Sequence, residues 1–317
     1  MTLRIIIYIF LLFSFSSVNA QGKQRNFFSE GKFVVSKDSV RIYGTLITPK
    51  KIKKKIPVAL IIAGSGPTDR NGNSGALMIN NSLKFLAEGL VKKGIASLRY
   101  DKRGIGKSVS AFIQEENLSF EDYVEDAVRL IELLKKDERF SKIIVIGHSE
   151  GSLIGMIAAA KTEVDAFVSL AGAGRPADEI LKQQLKGQFP EKTTGVILDS
   201  LKNGHLVSEL GSLSTLFRPS VQPYIISWFK YNPQLEIANL DIPVLIIQGE
   251  NDIQVGVKDA KLLAQSNPSA QLKIISRMNH IFKNVDKDPV KNIKTYYNEK
   301  MPINKELLSS IVDFLRN

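Results

Sequence analysis

The segment Ile143-Ile-Val-Ile-Gly147-His148-Ser149-Glu150-Gly151-Ser-Leu-Ile-Gly155 constrains the fold more than any other stretch of the chain. Four consecutive β-branched residues suit a strand buried on both faces, as in a parallel sheet. Leu153, Ile154, Ile157 and Ala158 then recur at helical spacing. Between the two patterns lies Gly-x-Ser-x-Gly. A serine carried on so sharp a strand-to-helix turn needs glycines two positions either side, because side chains there collide with the neighbouring strand and helix. The turn lifts the Ser149 hydroxyl clear of the sheet, above a helix N-terminus that favours developing negative charge.

The same alternation runs along most of the chain. Phe33–Ser36 and Val40–Thr48 read as a hairpin of amphipathic strands. Strand-like runs follow at Val58–Ala63, Ile95–Arg99, Ile143–Ile146, Ala166–Leu170, Val244–Gln248 and Leu272–Ile275. Between them, Leu83, Leu86, Leu90 and Val91 share one helical face, as do Val124, Ala127, Val128, Ile131 and Leu134; Leu307–Leu315 closes the series. Strand–helix alternation of this kind predicts an α/β, doubly wound, mostly parallel sheet. Residues 175–240 contain no strand-like run, although a crossover needs only a dozen residues or so. Helices are expected there over 177–187 and 194–202, followed by an aromatic stretch, Phe217–Phe229, broken by two prolines. The interval reads as a helical cap inserted into a core made of 21–174 and 241–317.

The first twenty residues stand apart. Arg4, the apolar run Ile5–Phe13 and the ending Val18-Asn19-Ala20 have the form of a secretory signal peptide cleaved after Ala20. The apolar run is too short to span a bilayer, so no stable membrane insertion is expected once it is removed. The chain has no cysteine, so an exported protein would rely on its core rather than on disulfides. A net charge of +11 raises the question of nucleic acid. The densest basic stretch, Lys50-Lys51-Ile52-Lys53-Lys54-Lys55, lies between two strands with no interleaved aromatic residue to stack on bases, which reads as a solvated loop.

A serine hydroxyl needs a base to act as a nucleophile, and there are only three histidines. His148 sits inside the turn beside Ser149 and must point away from it. His205 lies in the inserted interval on a polar turn. His280 follows the last strand, where the chain leaves the carboxyl edge of the sheet and ligands bind in open α/β folds. His280 is therefore the expected base. The acid is sought after the preceding strand, where Gly249-Glu250-Asn251-Asp252 offers Asp252 first and Glu250 second. Nucleophile, acid and base then occur in the chain order that suits a serine on such an elbow.

The backbone amide of Glu150 and one from the loop Ala63-Gly64-Ser65-Gly66-Pro67-Thr68-Asp69-Arg70 are expected to bind the oxyanion. Ser65 is the first choice there and Gly66 the second. Asp69 and Arg70 suit either substrate contact or an ion pair bracing the loop. Gly104-Ile-Gly106-Lys107-Ser108 fails as a phosphate loop, because Asp101 stands where a glycine is required. Isolated histidines without cysteine offer no clustered metal ligands, and the expected chemistry needs no cofactor.

Taken together, Gly64-Ser-Gly-Pro-Thr-Asp-Arg-Asn-Gly72, Tyr100-Asp-Lys-Arg-Gly-Ile-Gly-Lys-Ser108, Gly147–Gly151, Gly249–Asp252 and Asn279-His280 resemble the bacterial α/β-hydrolases of the carboxylesterase and serine-aminopeptidase-like superfamily. The resemblance extends from about residue 30 to 317. One departure is Ala63, where a histidine often precedes the first glycine of the oxyanion loop. The resemblance implies the α/β-hydrolase fold and cleavage of small carboxylic esters through an acyl-enzyme. Phe217, Tyr224, Trp228 and Phe229 would line an acyl pocket or simply pack the cap onto the body. An aminopeptidase is the alternative, with Glu209 or Glu236 as anchor for a substrate amine. A non-catalytic binding protein on the same fold is the third reading.

Overall fold

The computed structural model describes residues 28–37, 40–110 and 113–316. The proposed signal peptide lies outside the described residues. In chain order the elements are β1 (Phe28–Lys37), β2 (Val40–Pro49), β3 (Ile56–Ile62), α1 (Ser82–Lys92), β4 (Ala96–Tyr100), α2 (Phe120–Lys135), β5 (Phe140–His148), α3 (Glu150–Ala160) and β6 (Ala166–Leu170). Then follow α4 (Ala177–Leu185), α5 (Glu191–Lys202), α6 (Gln222–Trp228), α7 (Pro233–Ala238), β7 (Val244–Gly249), α8 (Val257–Ser266), β8 (Gln271–Ile275), α9 (Pro289–Lys294) and α10 (Lys305–Arg316). The eight strands form one sheet in the order β1-β2-β4-β3-β5-β6-β7-β8. The pairs β1·β2 and β2·β4 are antiparallel; every later pair is parallel.

The buried strands divide their side chains with the period of two that a pleated strand imposes. In β3, Val58, Leu60 and Ile62 join α2, α3, α7 and α8 on one face. Ala59 and Ile61 join α1 and α10 on the other. Both faces of the parallel strands are thus covered, which is why the sequence shows continuous apolar runs rather than alternation. The main difference from expectation is β1, which begins at Phe28, five residues before Phe33. It is an edge strand with most of its residues solvent-facing, so it carries little hydrophobic signal.

Strand order reverses between β3 and β5. The chain runs from β3 outward to β4, then crosses back to β5 on the other side of β3. Crevices open at such switch points, outside the carboxyl ends of the strands. Ile62 at the end of β3 pairs in register with Gly147 of β5, so the loop after β3 and the turn after β5 leave the sheet side by side.

Helices α4–α7 fill the interval between β6 and β7. The first three, with the loops between them, enclose a separate apolar cluster that includes Leu185, Ile197, Leu201, Leu213, Phe217 and Phe229. This segment is seated on the start of α2. The Phe120 ring stacks on Trp228 with centroids 6.3 Å apart and planes 8° from parallel. The Phe120 amide donates to Ser227 Oγ at 2.7 Å, and Glu115 pairs with Arg218 and accepts from Ser220 Oγ at 2.5 Å.

Candidate active site

Ser149 occupies φ 55°, ψ −120°, a backbone region that costs a non-glycine residue about 1–3 kcal/mol. The surrounding packing enforces it. A Cβ on Gly147 would lie 2.2 Å from the Gly151 carbonyl oxygen, and one on Gly151 would lie 2.5 Å from the Ile62 carbonyl oxygen. The serine amide is held to Leu170 O of β6 at 2.9 Å. Every residue of α3 from Glu150 to Ala159 is buried, so the helix that starts at the elbow cannot shift without disturbing the core.

His280 and Asp252 meet at the carboxyl edge of β7 and β8. His280 Nδ1 and Asp252 Oδ2 are 2.7 Å apart, with side chains 4% and 0% exposed. A carboxylate only accepts, so Nδ1 carries the proton and Nε2 is left as the basic nitrogen. Asp252 also accepts from the amides of Gln254 and Val255 at 2.8 and 3.0 Å and from Gln248 Nε2 at 2.9 Å. Burial by itself would raise the Asp252 carboxyl. The positive field of His280, its hydrogen bond and the two amides outweigh that and hold it below the usual range. Glu250 is exposed and bonds to Ser276 and Lys287 rather than to His280.

The other two histidines lie where the sequence places them. His205 is exposed on its turn. His148 is buried and donates from Nε2 to the His280 carbonyl oxygen at 3.0 Å. Burial, reinforced by the neighbouring His280, pushes its pKa down to about 3, so it stays neutral and acts as a prop for the chain carrying the base. A cluster of asparagines ties the acid and base loops together. Asn292 Nδ2 donates to Asn251 O at 2.7 Å, and Asn279 Nδ2 donates to Asn292 Oδ1 at 2.9 Å and to Thr295 Oγ1 at 2.8 Å.

Lys283, three residues beyond His280, is fully buried. Its Nζ donates to Met301 O at 2.5 Å and lies 4.7 Å from the centre of the Phe85 ring. Desolvation lowers its pKa to about 8. Because the unfolded chain keeps its proton up to about pH 10.4, this group penalises folding below pH 8, by about 3 kcal/mol. The penalty fades as pH rises from 8 to 10.4. Urea unfolding at pH 7.5 and 10 is expected to show that gain in the parent chain, and Lys283→Met is expected to flatten it.

Ser65 and Gly66 lie exposed at the end of β3, and Gly64 packs directly on the elbow: a Cβ there would lie 3.1 Å from Ser149 Cβ. As the first residue of α3, Glu150 has an amide with no acceptor inside the helix. Asp69 and Arg70 brace this loop, though not by pairing with each other. Asp69 Oδ1 accepts from the amides of Asn71 and Asn73 at 2.8 and 2.9 Å. Arg70 forms a two-pronged pair with Asp101, through Nη2 to Oδ2 at 2.6 Å and Nε to Oδ1 at 3.1 Å.

The sequence and the fold resemble those of known proteins. Residues 75–212 match the family described as serine aminopeptidase, S33. The chain is 29% identical over 250 residues to Esterase EstD of Thermotoga maritima, covering 74% of this chain and 57% of that protein. It thus spans little more than half the length of that relative. Among solved structures, Est1E of Butyrivibrio proteoclasticus with ferulic acid bound superposes with a TM-score of 0.64 at 21% identity, over 90% of this chain and 98% of that one. The Pyrococcus furiosus esterase Pf2001 gives 0.57 at 16% identity, over 91% and 92%. The chain has the α/β-hydrolase fold.

The four aromatic residues expected to line an acyl pocket divide into two pairs. Phe217 and Phe229 are 1% and 6% exposed, inside the segment's own core. Tyr224 and Trp228 are partly exposed and lie in the seam against Phe120 and Tyr123. Glu209 is exposed on a loop. Glu236, on α7, feels Lys161 at the far end of α3, about 16 Å from the elbow for an eleven-residue helix. Sequence reasoning missed Gln248 and Lys102. Both are buried polar residues at strand ends, a position that is the only available signal.

Proposed function

We propose that this α/β-hydrolase is a carboxylesterase that works through an acyl-enzyme on Ser149. The observation that carries the reading is the 2.7 Å contact between His280 Nδ1 and Asp252 Oδ2, at the same carboxyl edge of the sheet as a serine held on a strained elbow. Ser149 Oγ attacks the ester carbonyl while His280 Nε2 takes its proton. The negative oxygen that forms is bound by the amides of Glu150 and Ser65, in the field of the α3 N-terminus. His280 then hands the proton to the leaving alcohol. Water repeats the sequence on the acyl-enzyme and releases the acid. Asp252 holds the histidine tautomer and stabilises the imidazolium.

Esters are favoured over peptides on two grounds. The relative from Thermotoga maritima is named an esterase. Glu236 lies by the far end of α3 from the elbow, and Glu209 is exposed on a loop beside α5. Of the four candidate pocket residues, Tyr224 and Trp228 have surface left for an acyl group. The leader-like first twenty residues support an exported enzyme.

A panel of p-nitrophenyl esters of graded chain length, run beside aminoacyl-p-nitroanilides, tests the reading. Ester turnover with little or no nitroanilide cleavage is expected. Nitroanilide cleavage without ester turnover would install the aminopeptidase instead. Failure of the protein to label with a fluorophosphonate probe would leave only a binding protein on this fold.

A further inference from the structure

A buried charged chain stands directly behind the proposed oxyanion donors. Lys102, two residues past β4, and Glu150, which follows the nucleophile, pair at 2.5 Å with both side chains 2% exposed. Lys102 Nζ also donates to the Gly64 carbonyl oxygen at 2.7 Å and lies 4.9 Å from the centre of the Tyr123 ring. The second Glu150 oxygen accepts from Tyr224 OH of α6 at 2.5 Å. Three loops of the site and the inserted segment therefore meet on one ion pair. Isolated buried ion pairs seldom add stability, so one retained here calls for another role.

Peptide geometry supplies that role. In a planar trans peptide the carbonyl of one residue and the amide of the next point in opposite directions. The Gly64 carbonyl, drawn back onto Lys102, therefore turns the Ser65 N–H the other way. Gly64 itself rests against Ser149 Cβ. We propose that Lys102, Glu150 and Tyr224 are positioning residues: Lys102 aims the Ser65 amide at the oxyanion, Glu150 holds Lys102, and Tyr224 makes this alignment depend on the inserted segment being seated. The proposal rests on the acyl-enzyme reading above. It implies that an enzyme with a displaced segment binds ester but stabilises the tetrahedral intermediate poorly.

Lys102→Met alone would strand Glu150 as a buried charge and endanger folding, so the decisive variant is the neutral pair Lys102→Met/Glu150→Gln. It is expected to unfold in urea near the parent midpoint, yet to lose about 100-fold in kcat with KM nearly unchanged, the scale of loss for an ångström of misplacement. Glu150→Gln alone, whose amide oxygen still accepts from Lys102 and keeps it on the Gly64 carbonyl, is expected to fold less stably because the buried ammonium loses its counter-charge, and to lose less than 10-fold in kcat. Tyr224→Phe, which leaves both charges paired, is expected to lose about 10-fold in kcat and to weaken a boronic acid inhibitor by the same factor, an effect that simple loss of packing would not produce. The rate of fluorophosphonate labelling provides a readout that needs no ester substrate. If the parent labels at Ser149 but turns over no ester, the substrate reading fails while the labelling rates still test the positioning. Parent-like kcat and labelling rate in the folded double variant would overturn the proposal. If that variant does not fold, parent-like inhibitor affinity in Tyr224→Phe overturns the link to the segment, and Glu150→Gln falling 100-fold overturns the assignment of aim to Lys102.

Discussion

Replacing Ser149 with alanine is expected to lower kcat for p-nitrophenyl esters by about a million-fold, and His280→Ala should cost about as much, because the two groups act as one unit. The double variant is then expected to be no slower than either single one. The physical reason lies in the division of labour. Without the base the hydroxyl keeps its proton, and without the hydroxyl the base has nothing to activate. Whatever turnover survives comes from the oxyanion donors and substrate binding alone. Asp252→Asn is expected to fall less far, by about ten-thousand-fold, because an amide there leaves the geometry but favours the wrong tautomer. Single-turnover kinetics on protein free of host esterases makes the measurement. Ester turnover by Ser149→Ala within tenfold of the parent would sink the assignment.

The second large effect is expected at Gly147. A methyl group there would sit 2.2 Å from the Gly151 carbonyl oxygen and 2.5 Å from Ser152 Cα. Both obstacles are backbone of a fully buried helix, so no side-chain rotation relieves the clash. Gly147→Ala is expected to destabilise the fold by more than about 4 kcal/mol, the range reserved for severe strain in a core. Gly195, midway along α5, provides the control, since a Cβ there meets nothing within 4 Å. Gly195→Ala is expected to raise stability by about 0.5–1 kcal/mol through the ordinary helix preference. Urea unfolding midpoints for the two variants should therefore move in opposite directions.

What could be read from residues alone followed from how local each signal was. Strands β3–β7 announced themselves because buried parallel strands must be apolar on both faces; β1, β2 and β8 gave weaker signals, and each observed strand overlaps the expected run. Ser149 was legible because its turn imposes glycines at fixed offsets. His280 emerged from its place after the last strand and because the chain has so few histidines. The choice between Asp252 and Glu250 depends on which way a four-residue turn directs two carboxylates, and spacing does not determine that direction. The Arg70–Asp101 pair and the Lys102–Glu150 pair join residues 31 and 48 positions apart, through a sheet whose strand order had not been derived. Lysine is so seldom buried that Lys102, in a stretch resembling a failed phosphate loop, gave no hint of its position. The aromatic run Phe217–Phe229 was conspicuous, but composition could not separate side chains facing the segment's interior from those facing the seam.

The separate apolar cluster of the 175–240 segment has a consequence for how such enzymes diversify. The part built from α4–α6 has its own interior and can be exchanged between relatives without emptying the core beneath it, whereas Ile237 and Leu240 belong to the body's core. Its sockets on the body include the face of Phe120, the carboxylates of Glu115 and Asp259, and the second oxygen of Glu150. A chimera that keeps a hydroxyl over Glu150 should inherit both a new specificity and a working catalytic base camp; one that replaces it with an aliphatic residue should inherit the specificity with a slower reaction.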